Sequence, residues 1–74
     1  MRRIEQRFYQ KICIHGMSLD KIAEEIDSMD HRTKAQYYAD GSMFMSPYRA
    51  AKDIIAALEK RKLIIKKDGK YKKA

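Results

Sequence analysis

The side chains that could do chemistry in this 74-residue chain are mostly cations, and they gather at one end. Residues 46–74 hold ten Lys or Arg against three Asp or Glu, a net +7; residues 1–16 hold four against one; residues 17–45 hold three against six. Such a surface suits a polyanion, and phosphate neutralisation would make the binding fall steeply with salt. Catalytic chemistry is poorly supplied by comparison. Cys13 and His15 are two residues apart, which on a helix splays them by about 200° and denies them a shared metal. One cysteine and two histidines make no zinc signature. Glu24, Glu25 and Asp27 read as adjacent carboxylates on a solvated helix, and His31 beside Asp30 as a helix-terminal surface residue. Three glycines form no phosphate-cradling loop. The expectation is a non-enzyme without catalytic residues, metal or cofactor.

The elements that must carry these cations are legible from residue 46 onward. Ser46 can accept a hydrogen bond from the first turn of a helix, and Pro47 suits a first helical position that needs no N–H. At about 100° per residue, Ala51, Ile54, Ile55 and Leu58 fall on one side and Arg49, Lys52, Asp53, Ala56 and Lys60 on the other. A helix over 47–61 therefore packs one face and presents a cationic one. Leu63, Ile64 and Ile65 then form a β-prone run, Asp68-Gly69 signals a hairpin turn, and Tyr71 opens a return strand among Lys70, Lys72 and Lys73. The register is open: a two- or four-residue loop pairs Lys66 with Tyr71, a three-residue loop pairs Lys67 with it. Either way Tyr71 shares a face with an isoleucine.

Upstream, Ile4, Phe8 and Ile12 at i+4 spacing, supported by Cys13, predict a first helix over 2–15 ended by Gly16. Ser18 caps a second helix over 18–29, with Leu19, Ile22, Ala23, Ile26 and Met29 on its buried side and Asp20 near its positive end. Asp30 caps a short third helix over 31–39. Asp40-Gly41-Ser42 reads as a turn, after which Met43, Phe44 and Met45 either plug the core or form an exposed patch for a protein partner.

Length and composition set outer limits. Seventy-four residues make one small domain, with a core worth only about 3–5 kcal/mol of net stability and little room for an enclosed active site. A lone cysteine leaves no internal disulfide and points to a reducing, cytoplasmic setting. MRRIEQRFYQK lacks the apolar stretch of a signal peptide, no window approaches a membrane span, and residues 47–61 lack the bulky face of an interfacial helix. No membrane partner is expected.

Helix, SLDKIAEEI helix, basic-faced helix and KLIIKKDGKYKK hairpin, in that order, resemble the winged helix-turn-helix family of DNA-binding domains. IIAALEKRKLIIKKDGKYKK carries the likeness furthest, matching the family's passage from helix to wing. The resemblance implies a mostly α fold with a C-terminal β-hairpin as the wing over 63–73, and a helix from Pro47 to Arg61 lying in the major groove. It places Arg49 and Lys52 nearest the bases or flanking phosphates, Tyr48 and Lys60 toward the edges, and a phosphate seat in the outward N–H groups left at the helix start by Ser46 and Pro47. Lys66, Lys67, Lys70, Lys72 and Lys73 would touch the sugar-phosphate backbone or a minor groove. One departure is the length of residues 29–45, where the family has a short turn; it leaves residues 31–39, with Arg32, Lys34, Gln36 and Tyr37, as a rival recognition helix. The function expected is double-stranded DNA binding by a transcriptional regulator or DNA-maintenance accessory factor. The competing reading is a protein-interaction module that inhibits or recruits a larger partner. A homodimer is also open, through the first helix or the 29–45 segment.

Overall fold

The computed structural model describes residues 1–37 and 46–74 of the chain. Four helices precede a two-stranded antiparallel hairpin: α1 Arg3–His15, α2 Leu19–Ser28, α3 His31–Tyr37, α4 Pro47–Lys60, β1 Ile64–Lys67 and β2 Lys70–Lys73. The chain is thus mostly helical with a C-terminal hairpin, in the order expected. The part of the third helix anticipated beyond Tyr37, and Met43, Phe44 and Met45, lie outside the described residues.

The core is the sum of three apolar helix stripes, closed by Ile64 and Met17. Ile4, Phe8 and Ile12 of α1, Ile22 and Ile26 of α2, Ala50, Ala51, Ile54, Ile55 and Leu58 of α4, and Ile64 of β1 form one buried cluster with Met17. Leu19, Ala23, Met29, Leu63 and Tyr71 pack against its margin. α4 lies chiefly against α2 and also against α1, whereas His31 to Gln36 of α3 are exposed or half-buried and none joins the cluster. Cys13, expected to support the α1 stripe, is exposed instead. Its position is 100° beyond Ile12, already past the edge of a stripe centred on Phe8.

Local chemistry sets the element boundaries. The Ser18 hydroxyl accepts the Lys21 N–H at 3.1 Å, the Ser46 hydroxyl accepts the Arg49 N–H at 3.2 Å, and the Asp30 carboxylate accepts the Thr33 N–H at 2.7 Å, so each cap read from the sequence is present. At the far end of α4, the Lys62 N–H donates to Glu59 C=O at 2.8 Å and the Leu63 N–H to Leu58 C=O at 3.1 Å, with Lys62 at φ 60°. This is a Schellman termination with lysine where glycine is usual. It turns the chain from α4 straight into β1.

The hairpin takes the two-residue loop. Lys66 faces Tyr71 and Lys67 faces Lys70, with Asp68 at φ 53° and Gly69 at φ 78° between them. Positive φ at both loop residues is the twist-matched arrangement that Asp-Gly favours. Period-two alternation then turns Ile64, Lys66, Tyr71 and Lys73 to one face and Ile65, Lys67, Lys70 and Lys72 to the other.

One contact was not foreseen. Met17, between Gly16 and the Ser18 cap, pairs with Tyr71: its N–H donates to Tyr71 C=O at 3.0 Å and its C=O accepts the Tyr71 N–H at 2.7 Å. Gly16 makes this possible, since its backbone at φ 69°, ψ 144° is almost closed to other residues. The bridge fastens the hairpin to the end of α1.

Two substitutions should move stability in opposite directions. Lys62→Gly relieves a left-handed lysine and should stabilise by about 1 kcal/mol, read as a rise of about 4–8 °C in thermal midpoint. Gly16→Ala should cost about 1–3 kcal/mol in a denaturant titration.

Candidate nucleic-acid interface

The cationic side chains expected at DNA on α4 and the hairpin are all solvent-exposed, and they belong to two elements. Ser46, Tyr48, Arg49 and Lys52 occupy the first half of α4, and Lys60 its last turn. At the rise of an α-helix, Arg49 and Lys60 stand about 16 Å apart along the axis. Lys66, Lys67, Lys70, Lys72 and Lys73 follow on the hairpin, after α4 in the chain. Because Ala51, Ile54, Ile55 and Leu58 face the core, Arg49, Lys52, Asp53, Ala56 and Lys60 are turned outward together.

The helix start differs from the open phosphate seat expected there. The Arg49 N–H is taken by the Ser46 hydroxyl and the Ala50 N–H by the Ser46 C=O, and Pro47 has no N–H. The cap that starts the helix thus also satisfies two of the first-turn donors that a ligand would use. Tyr48 itself is half-exposed, and Lys52 Nζ lies 4.7 Å from the centre of its ring. The cation–π contact, one turn along the helix, holds the ammonium and the aromatic face side by side. On the hairpin, Lys66 Nζ sits 5.9 Å from the centre of the Tyr71 ring.

Electrostatics depend on a residue that the sequence reading passed over. Asp53 stands in the middle of the outward face of α4, where a bare carboxylate would oppose a phosphate partner. Arg2, at the start of α1, ion-pairs with it. Arg2 also donates through its backbone N–H and its Nε to the Glu5 carboxylate, each at 2.9 Å. Glu5 is 3% exposed, the one buried charged residue among those described. Burial pushes its carboxyl upward, but the two hydrogen bonds from Arg2 and the charges of Arg2 and Arg61 outweigh this and hold it below the ordinary carboxylate range. The hydrogen bonds to Asp53 and Glu5 raise the Arg2 guanidinium above its already high value. The R-x-x-E spacing was a usable signal, since residues three apart on a helix are neighbours.

Arg61 and Lys62 are also exposed, directly after Lys60. They extend the basic surface through the turn into β1, and the run KRK was their sequence signal. α3 offers less: Arg32 and Gln36 are exposed, but the helix stands beside the core rather than within it. A protein-partner surface built on Met43, Phe44 and Met45 falls outside the described residues.

Among the described residues no group of three or more His, Cys, Asp and Glu is placed to hold a metal ion, and no helix is long and apolar enough to cross a membrane. An open cleft of about 310 Å³ lies between α1, α2 and α3, walled by Arg7, Glu25, Met29 and Thr33 and by the Lys11–Glu25 ion pair at 2.9 Å. No family model, characterised protein or solved structure matches the chain.

The Arg2–Glu5 pair gives stability a defined pH dependence. Glu5 has a depressed folded value, so its contribution is present above the unfolded value of about 4.3 and is lost as pH falls through the folded one. Denaturant titrations should show stability declining below about pH 5. Glu5→Gln should cost about 1.5–3 kcal/mol at pH 7 and flatten that decline.

Proposed function

We propose that this chain is a winged helix-turn-helix domain that binds double-stranded DNA, acting in the cytoplasm as a transcriptional regulator or a DNA-maintenance accessory factor. A single observation carries the reading. α4 buries Ala51, Ile54, Ile55 and Leu58 against the other helices, turns Arg49, Lys52 and Lys60 to solvent, and passes through a basic turn into a hairpin carrying five lysines.

In this reading α4 lies in the major groove, with Arg49 and Lys52 at base edges or their flanking phosphates and Tyr48 and Lys60 toward the groove walls. Ala56, on the same face, lets the helix approach closely. Arg2 neutralises Asp53, which would otherwise face the phosphates. The hairpin lysines add affinity without sequence choice, since phosphates carry little sequence information. The mechanism is occupancy of a site, with no bond made or broken. Packing of α4 on α2 and α1, with α3 to the side, favours α4 over α3 as the reading helix.

Fluorescence anisotropy with duplexes of random and selected sequence, at two salt concentrations, tests this. Wild type should bind random duplex in the micromolar range or better at low salt. Arg49→Ala with Lys52→Ala should weaken selected sites by about 1–3 kcal/mol per lost base contact and narrow the gap between selected and random DNA. Equal loss on both kinds of duplex would remove α4 as the reading element. A folded protein that binds no duplex at low salt would remove DNA altogether.

A further inference from the structure

The five hairpin lysines are not equivalent. The register divides them between two faces: Lys66 and Lys73 share a face with Ile64 and Tyr71, which pack into or against the core, while Lys67, Lys70 and Lys72 share the opposite face with Ile65. On that outer face Ile65 lies opposite Lys72 and Lys67 opposite Lys70, a two-by-two grid of three ammonium groups and one branched apolar side chain. Ile65 is 50% exposed, one of the few large apolar side chains so exposed among the described residues. The Lys72 stem lies beside Gly16, so the base of the grid is braced against the end of α1.

Two features of this grid are costly in the free protein. Lys67 and Lys70 are like charges placed directly across the ladder, which is destabilising unless a counter-charge lies between them. Ile65 leaves apolar area in water. Both costs are relieved together by an array of phosphates with hydrogen-rich sugar rings alongside. A bare polyanion would satisfy the lysines and leave Ile65 wet. The tip is less suitable for contact, because Asp68 sits there and its carboxylate would meet phosphate walls head-on.

We propose that the hairpin meets nucleic acid side-on, with Lys67, Lys70 and Lys72 on backbone phosphates and Ile65 against the sugars between them, rather than entering a groove by its tip. This rests on the nucleic-acid reading above and assigns the contact within it. Lys66 and Lys73 add only to the general field.

The test uses the whole chain and three variants: Lys67→Gln/Lys70→Gln/Lys72→Gln, Lys66→Gln/Lys73→Gln, and Ile65→Ser. Circular dichroism and thermal melts establish that each is folded. All are titrated over a range of salt against a random-sequence DNA duplex and against inorganic polyphosphate, which has the charge without the sugar. The outer triple variant should lower the slope of log affinity against log salt by about 0.9 for each lysine, and the inner pair by less than about 0.9 in total. Ile65→Ser should weaken duplex binding about fivefold with the slope unchanged, and leave polyphosphate binding as it was. Equal slope loss per lysine on the two faces would overturn the side-on assignment. So would an Ile65→Ser variant with wild-type duplex affinity, since a tip-first approach spares that residue. If wild type binds no duplex at low salt, the nucleic-acid reading itself fails, a result separate from either of these.

Discussion

The hairpin is held to the helices by the backbone pairing of Met17 with Tyr71. A two-stranded hairpin alone in water is marginal. Here β2 gains a partner on its second side, with both backbone groups of each residue satisfied, and β1 inserts Ile64 into the core. The pairing requires the chain to leave α1 by an extended left-handed step, which Gly16 provides, and to enter α2 at once, which the Ser18 cap provides. Three consecutive residues thus fix where the lysines of the last strand stand relative to α1. At the other attachment, the left-handed Lys62 sets the direction in which β1 leaves α4.

Arg2 plays the matching part at the opposite end of α1. A buried carboxylate is tolerable only when its charge is met, and Glu5 is met by the backbone and side chain of one residue three positions earlier. The same guanidinium reaches α4 at Asp53. Capping of α1, docking of α1 on α4 and the sign of charge in the middle of α4's outward face are therefore coupled through a single side chain. Asp53 read from the sequence is simply an acid on a basic face. In the structure it is half of an ion pair.

Legibility followed the range of the interactions. The caps at Ser18, Asp30 and Ser46, the apolar stripe from Ala51 to Leu58 and the Asp-Gly turn rest on neighbours within four residues, and each is found where the sequence places it. The contacts that escaped join distant segments: Met17 with Tyr71, and Arg2 with Asp53. One extended residue between two helices has no periodicity to detect, and an arginine near a chain start has many acids within possible reach. The hairpin register, open at the level of sequence, is decided once Ile64 must be buried and Tyr71 must share its face. At Ser46 the cap and the expected phosphate seat draw on the same donor, because the hydroxyl that defines the helix start takes the Arg49 N–H.

β1 is also a sheet edge. β2 covers one side of it, and within the chain no strand pairs with the other among the described residues. Open edges with apolar residues invite pairing between copies, and lysines are a common guard against it. Lys66 and Lys67 lie on this edge strand, directly after the exposed Ile65. Their mutual repulsion keeps two such hairpins from aligning edge to edge. Any polyanion that cancels those charges removes the guard as well, so copies crowded along one polymer would meet with their strand edges unprotected, and colloidal stability and ligand occupancy would draw on the same few ammonium groups.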